Sequence, residues 1–324
     1  MPGKSLLRLR VDELHAGRRL DQALVGLIPA LSRARAQKLI ASKKVCRVDS
    51  SGRRRPVAKG ELVQCGDVLE LESADIEQPR ATADHDLSLR VVLLSDDVVI
   101  VDKPAGMPSA PRDGAELGCV ANGLVAAFPE MAQIGYGPLE PGLCHRLDND
   151  TSGLILAARH ADAFDELTHA IRSGRVDKTY ELICADGPEL MDDGEITWPI
   201  APHATNPRKM VTCPGVQDPA SRGRPRPATT RYTVLQRDHG RAHVRASAAS
   251  AGRHQLRIHF ASLGCPLLGD MLYGGERVDG AQGHVLHATS IRWSGGQVPS
   301  FSALSSASFN LLALCTVCGS PTSP

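Results

Sequence analysis

The sequence predicts a two-domain α+β protein: a small basic α/β module followed by a larger α+β body. Its 324 residues suit two domains better than one. Strand-length apolar runs and helix-period stripes occur in both parts. Charge is divided between them. Residues 1–60 hold 15 Lys or Arg against four acids, so the remainder carries a net −10 beneath an overall charge of +1. A basic end on an acidic body fits a polyanion held at one end, and fits equally a merely solvated basic face.

Composition narrows the class. Apolar residues make up 42% of the chain but aromatics only 3%, so a core of Leu, Val, Ile and Ala is expected. Lys4, Arg8, Arg10, Asp12 and Glu13 interrupt any apolar run near the start, which argues against an export signal. No uncharged apolar run approaches the ~18 residues that span a bilayer, so a soluble protein without a membrane partner is expected. Nine irregularly spaced cysteines suit reduced thiols in the cytoplasm.

In the first part, Leu20, Leu24, Leu27 and Ile28 form one helical stripe that Pro29 ends. Ser32 is an N-cap residue for a second helix with Ala36, Leu39 and Ile40 on its apolar face. Arg33, Arg35 and Lys38 fall largely off that face. From Lys43 to Leu71, short apolar pairs separated by glycine and charge predict a hairpin-rich sheet, with a turn at Gly66-Asp67.

Arg18-Arg19-Leu20-Asp21, Ser32-Arg33-Ala34-Arg35-Ala36, Lys44-Val45 and Gly66-Asp67, in that order, resemble the small RNA-binding domain of ribosomal small-subunit protein four, over about residues 8–73. The resemblance implies that Arg18, Arg19, Arg33, Arg35, Lys38 and Lys44 face RNA backbone.

Residues 74–88, with Pro79, are expected to be a linker. Two strands follow, Leu89–Leu94 and Val98–Val101, joined at Asp96-Asp97. Phe164, Leu167, Ala170 and Ile171 predict an amphipathic helix over 161–173. Four prolines over 213–228 predict a loop, and residues 294–324, rich in Ser and Ala, predict a poorly ordered tail.

The chemistry-bearing stretch is His145-Arg146-Leu147-Asp148-Asn149-Asp150-Thr151-Ser152-Gly153-Leu154, a polar loop feeding an apolar strand. Crowded charges are costly to bury unless paired or functional. By residue type alone, Asp148 is more often a turn former, Tyr180 a core residue of a strand over 179–184, and Arg257 a surface residue of an edge strand.

Together with Val101-Asp102-Lys103-Pro104-Ala105-Gly106-Met107, Lys178-Thr179-Tyr180, Ala228-Thr229-Thr230, His254-Gln255-Leu256-Arg257-Ile258-His259, Leu268-Gly269-Asp270, Leu272-Tyr273-Gly274 and Leu286-His287-Ala288, that stretch resembles the RluA-like pseudouridine synthases over about residues 89–293. The resemblance implies a mainly antiparallel bent sheet with flanking helices and a cleft across its middle. It implies isomerisation of uridine to pseudouridine in structured RNA, ribosomal RNA of the large subunit first and transfer RNA as the alternative.

Asp148 is then the catalytic carboxylate, acting on ribose or base or as a proton acceptor, and in each version ionised. Arg257 becomes its cationic partner and Tyr180 the stacking ring. Arg146 fills the gap left by the flipped base, and His145, Lys178, His254 and Gln255 contact substrate. No metal and no organic cofactor are implied, and a monomer is expected. Gly252 stands where the family commonly has Arg, with Arg253 one place late.

Two other readings stay open on the residues. One is an RNA-binding or ribosome-assembly protein with a decayed site. The other is a glycoside hydrolase, which would need a second carboxylate, such as Asp150, placed opposite Asp148. Cys315 and Cys318 have metal-ligand spacing, but no second pair completes a site.

Overall fold

A computed structural model describes residues 6–29, 31–72, 79–215, 220–248, 250–278 and 283–306. The chain divides into two compact units, residues 1–79 and 80–324.

The smaller unit is an antiparallel sheet ordered β1 (Leu6–Arg10), β4 (Val68–Glu72), β2 (Cys46–Val48) and β3 (Arg54–Pro56), with two helices, α1 (Leu20–Leu27) and α2 (Arg33–Ala41). Pro29 forces extended backbone on Ile28, which is why α1 stops at Leu27. Ser32 caps α2 by accepting the Arg35 N–H at 3.3 Å. The expected stripes meet in one core: Leu20, Leu24 and Ile28 from the first helix, Ala36, Leu39 and Ile40 from the second, and Leu69 and Leu71 from the central strand. Strand β1 was not anticipated.

The larger unit is built on a nine-stranded, mainly antiparallel sheet. Its order is β5 (Arg90–Leu94), β6 (Val98–Lys103), β7 (Ser152–Ala158), β14 (Leu286–Trp293), β8 (Val176–Ala185), β13 (Arg241–Ser247), β12 (Thr230–Asp238) and β9 (Asp193–Ile196). The ninth strand, β15 (Phe301–Leu304), pairs with the second half of β14. A separate pair, β10 (Ile200–Pro202) and β11 (Met210–Thr212), precedes the proline-rich stretch 213–228. Among the described residues only β7 and β14 run parallel, through His287↔Ser152 and Ala288↔Gly153.

Alternation along β6 and β7 feeds two cores. Val99, Val101, Ile155 and Ala157 enter one with α3 (Val120–Ala127) and α5 (Gln255–Ser262). Val98, Ile100, Leu154 and Leu156 enter the other with α4 (Ala161–Arg172), which buries Phe164, Leu167, Ala170 and Ile171 as its periodicity predicts. Each such large side chain contributes about 1.5–3 kcal/mol.

Two expected boundaries move. The proposed linker ends early: Ala81 is buried and donates its N–H to Pro138, and the Asn122 amide donates to Thr82 O at 2.7 Å. Residues 80–88 therefore pack on the larger unit, while 73–78 lie outside the described residues. The tail also starts later than Ser294. Trp293 and Val298 are buried and Phe301–Leu304 join the sheet, because β14 extends past β7 and leaves an edge that β15 covers. Residues 307–324, with Cys315 and Cys318, lie outside the described residues. No helix among the described residues is long and apolar enough to cross a membrane.

Candidate active site

The loop leading into β7 is held from three sides. His145 Nε2 accepts the Leu156 N–H at 3.1 Å, and the Cys144 N–H returns to Leu156 O. Ser109 Oγ donates to Leu147 O at 2.7 Å and accepts the Leu147 N–H at 3.1 Å. Lys103, 1% exposed, donates its ammonium to the carbonyls of Pro104, Met107 and Asn149 at 2.7–3.0 Å. Burial lowers the Lys103 pKa to about 8, against the pull of Asp150 and Asp148.

Gly153 explains the turn after Asp148. Its φ is +106°, and a Cβ there would lie 2.3 Å from Ala288 O. The parallel contact of β7 with β14 leaves no room for a side chain.

Asp148 thus stands on a braced loop at the floor of a cleft of about 1050 Å³. Arg257 Nη1 donates to its Oδ2 at 2.8 Å. The rest of the guanidinium grips Asp270: Nε to Oδ2 at 2.6 Å and Nη2 to Oδ1 at 2.9 Å. Arg257 lies on α5 and is 7% exposed, so it is neither on a strand nor at the surface. Its pKa is raised: burial opposes the charged form, and the hydrogen bonds and charges of Asp270 and Asp148 outweigh it.

A second group faces the carboxylate. His254 adopts left-handed backbone (φ 55°) just before α5 and places Nε2 3.7 Å from Asp148 Oδ2. The Tyr273 hydroxyl accepts the Met210 N–H at 2.7 Å and meets His254 Nδ1 at 2.9 Å. With the phenol donating to Nδ1, the imidazole proton sits on Nε2, toward Asp148.

Burial raises the Asp148 pKa, but His254 and then Arg257 outweigh it, and the carboxyl is held below its ordinary 3.8. His254 is itself pushed below 6.5 by burial and is neutral at pH 7. The guanidinium is therefore the standing positive charge. Tyr180, 4% exposed on β8, lines the same cleft, and burial followed by the Asp148 charge raises its pKa far above 10. Its hydroxyl stays protonated and can donate but not accept a proton.

The expected residues Arg146, His145, Lys178 and Gln255 also line the cleft, with different engagements. Arg146 is exposed on the rim and pairs with Glu140 at 2.6 Å. His145 uses its imidazole on the loop itself and is lowered to about 3, chiefly by burial and then by Lys178. Gln255, 3% exposed, accepts the Gly252 N–H and donates to Thr229 O and Thr230 Oγ1. These bonds brace the start of α5 instead of facing a ligand. Arg253 sends its guanidinium to the carbonyls of Pro207 and Arg208, so the displaced basic residue ties the β10–β11 segment to α5.

In the smaller unit Arg18, Lys38 and Lys44 are exposed and Arg35 is half-buried. Arg19 and Arg33 bond Asp21 while staying 46% and 57% exposed.

Sequence reasoning left Asp270 and Tyr273 without roles. Both lie in the quoted Leu268-Gly269-Asp270 and Leu272-Tyr273-Gly274 elements, so their place in the motif was visible. That one seats Arg257 and the other His254 required the fold.

Residues 97–262 match the family described as RNA pseudouridylate synthase. The chain is 32% identical over 272 residues to "Ribosomal large subunit pseudouridine synthase D" of Yersinia pestis, covering 83% of this chain and 77% of the relative. It is 30% identical over 278 residues to the Escherichia coli K12 protein of that name, with the same coverage. In fold it is similar to human RNA pseudouridylate synthase domain containing 1, with a TM-score of 0.54 at 23% identity over 68% of this chain and 84% of the human one.

Proposed function

The chain belongs to the RNA pseudouridylate synthase family, and we propose that it converts uridine to pseudouridine in large-subunit ribosomal RNA, with Asp148 as its catalytic carboxylate. One observation carries the residue assignment. Asp148 is the acid in the cleft that is held ionised by a fixed cation, Arg257, while facing open space large enough for a nucleotide.

A uridine stacked in folded RNA must first be rotated out, at a cost of a few kcal/mol. Arg146 on the rim is placed to fill the gap it leaves. The base then enters beside Tyr180, which supplies an apolar ring face. Asp148 initiates cleavage of the N1–C1′ bond, the uracil turns, and C5 bonds to C1′. The proton leaving C5 and the one gained by N1 balance, so the reaction is an isomerisation without net redox change.

Through these steps Arg257 keeps Asp148 anionic, and His254 offers its Nε2–H to the same oxygen. The likeness to ribosomal RNA enzymes supports a cytoplasmic location. Arg18, Lys38 and Lys44 on the smaller unit present positive charge to RNA backbone.

The test is to map pseudouridine in ribosomal and transfer RNA of cells lacking the protein, complemented with wild type or Asp148→Ala. A large-subunit site that vanishes, returns with wild type and stays absent with Asp148→Ala is the expected result. A transfer-RNA site behaving this way would replace the substrate. Full restoration by Asp148→Ala would overturn the catalytic assignment and leave an RNA-binding role.

A further inference from the structure

Three Lys or Arg side chains are buried among the described residues of the larger unit: Lys103, Lys178 and Arg257. Lys103 is satisfied by three carbonyls and Arg257 by two carboxylates. Lys178 is different. It is 4% exposed, lines the active cleft, and makes no hydrogen bond or ion pair with any described residue. Because Lys178 lines the cleft, its side chain borders that open space.

The position follows from β8. Lys178 and Tyr180 are two residues apart on one strand, so both side chains leave the same face about 6.6 Å apart. Tyr180 belongs to one apolar core and Val176, two residues the other way, to the second. Lys178 therefore emerges where the two cores part. Cys144, Leu147 and Ile171, which share the cleft lining, bring no charge, and the neighbouring His145 is neutral. Burial alone lowers the Lys178 pKa to about 8, so at pH 7 it is still mainly cationic.

A desolvated, uncompensated charge is unfavourable for the protein alone and favourable once an anion arrives. RNA carries one anion per nucleotide, and a base beside Tyr180 keeps its own backbone within reach of the next same-face position. We infer that Lys178 is an anion receptor inside the cleft, which takes a phosphodiester oxygen of the flipped uridine or of its immediate neighbour. The inference rests on the reading of this cleft as the uridine site. A ring carbonyl is the other acceptor the substrate offers, but it is neutral and would leave the charge uncompensated.

The test uses single-turnover conversion of a large-subunit RNA transcript by the full chain, across about 50–200 mM salt. Lys178→Met keeps the length of the side chain and removes its charge. It is expected to lower kcat/KM and to reduce the log–log salt slope by about 0.7–0.9, one phosphate contact. Transcripts bearing one uncharged methylphosphonate, placed in turn on either side of the target uridine, form a second arm that needs no variant. Wild type is expected to lose rate with one of them, and Lys178→Met to show no further loss with the same RNA.

An unchanged salt slope, losses that simply add, or a wild type indifferent to both substitutions would each overturn the inference. Should Lys178→Met not fold, the wild-type methylphosphonate arm decides. If wild type forms no pseudouridine in that transcript, the proposed function fails instead, so the two failures are distinct.

Discussion

Asp270 holds Arg257 by two bonds, Nε–Oδ2 at 2.6 Å and Nη2–Oδ1 at 2.9 Å, and so turns Nη1 toward Asp148. The guanidinium is shared between one carboxylate that is sealed, with 1% of its side chain exposed, and one that faces the cleft at 26%. The segment that delivers Asp270 also brings Tyr273, whose ring lies 5.3 Å beneath the same guanidinium. Gly275 makes the segment possible, because a Cβ there would lie 2.0 Å from Leu267 O.

Asp270→Asn keeps the shape but loses the charge that fixes Arg257. It is expected to lower kcat by about 10–100-fold with little change in KM, since the orientation of Asp148 suffers and RNA contacts do not. Asp270→Ala, which leaves buried donors unpaired, should also destabilise the chain by about 3–5 kcal/mol. Steady-state kinetics and a urea titration separate the two effects; wild-type kcat in Asp270→Asn would show that Asp148 needs no such support.

The pH profile has a defined sign. Asp148 is held below 3.8 in the folded protein, so its anion is present throughout the neutral range and is lost only as pH falls through that depressed value. The acid limb of kcat/KM is therefore expected below about pH 4. Arg257→Gln removes the standing cation and leaves burial opposed chiefly by His254, so the residual activity should show an acid limb moved upward. The ratio of rates at pH 5 and pH 8 reads this directly, and an unmoved limb would count against Arg257 as the charge partner.

Gly153 is placed where φ is +106° and Ala288 O closes the space. Gly153→Ala should cost about 2–4 kcal/mol, seen as a lowered Tm, because either β7 or β14 must move. A Tm within a degree or two of wild type would mean that the parallel contact is loose.

In the smaller unit, Asp21 is 4% exposed and takes bonds from Gln37, Arg33 and Arg19. The Gln37 bond, opposed by burial and helped by Arg33 and Arg19, lowers its pKa to about 2. A depressed carboxyl contributes stability that is present above pH 3.8 and is lost as pH falls through about 2. Asp21→Ala is expected to destabilise this unit by about 1–2 kcal/mol at pH 7. It also frees Arg19 and Arg33, so RNA affinity should change less than stability. Filter binding and denaturation by urea check the two together; a stability equal to wild type would show that the ion pairs contribute nothing.

Local pattern alone determined much of this protein. The helical stripes at Leu20–Ile28 and Phe164–Ile171, the Ser32 cap, the Pro29 stop and the strands around Asp96-Asp97 depend on neighbours within a few residues, and that is why they were legible. The motif around Asp148 was legible too, because its residue types and order are unusual together. Only the tertiary structure decided what those residues touch. Arg257 meets Asp148 across 109 positions and Asp270 across 13, Gly153 is demanded by a strand 135 residues away, and Lys178, where two cores part, has no hydrogen-bond or ion-pair partner among the described residues. The late strand Phe301–Leu304 belongs here as well, since its own residues carry little strand signal and the open edge of β14 recruits it. Sequence reports periodicity and chemistry along the chain, whereas burial, pairing and charge compensation are properties of distances across it.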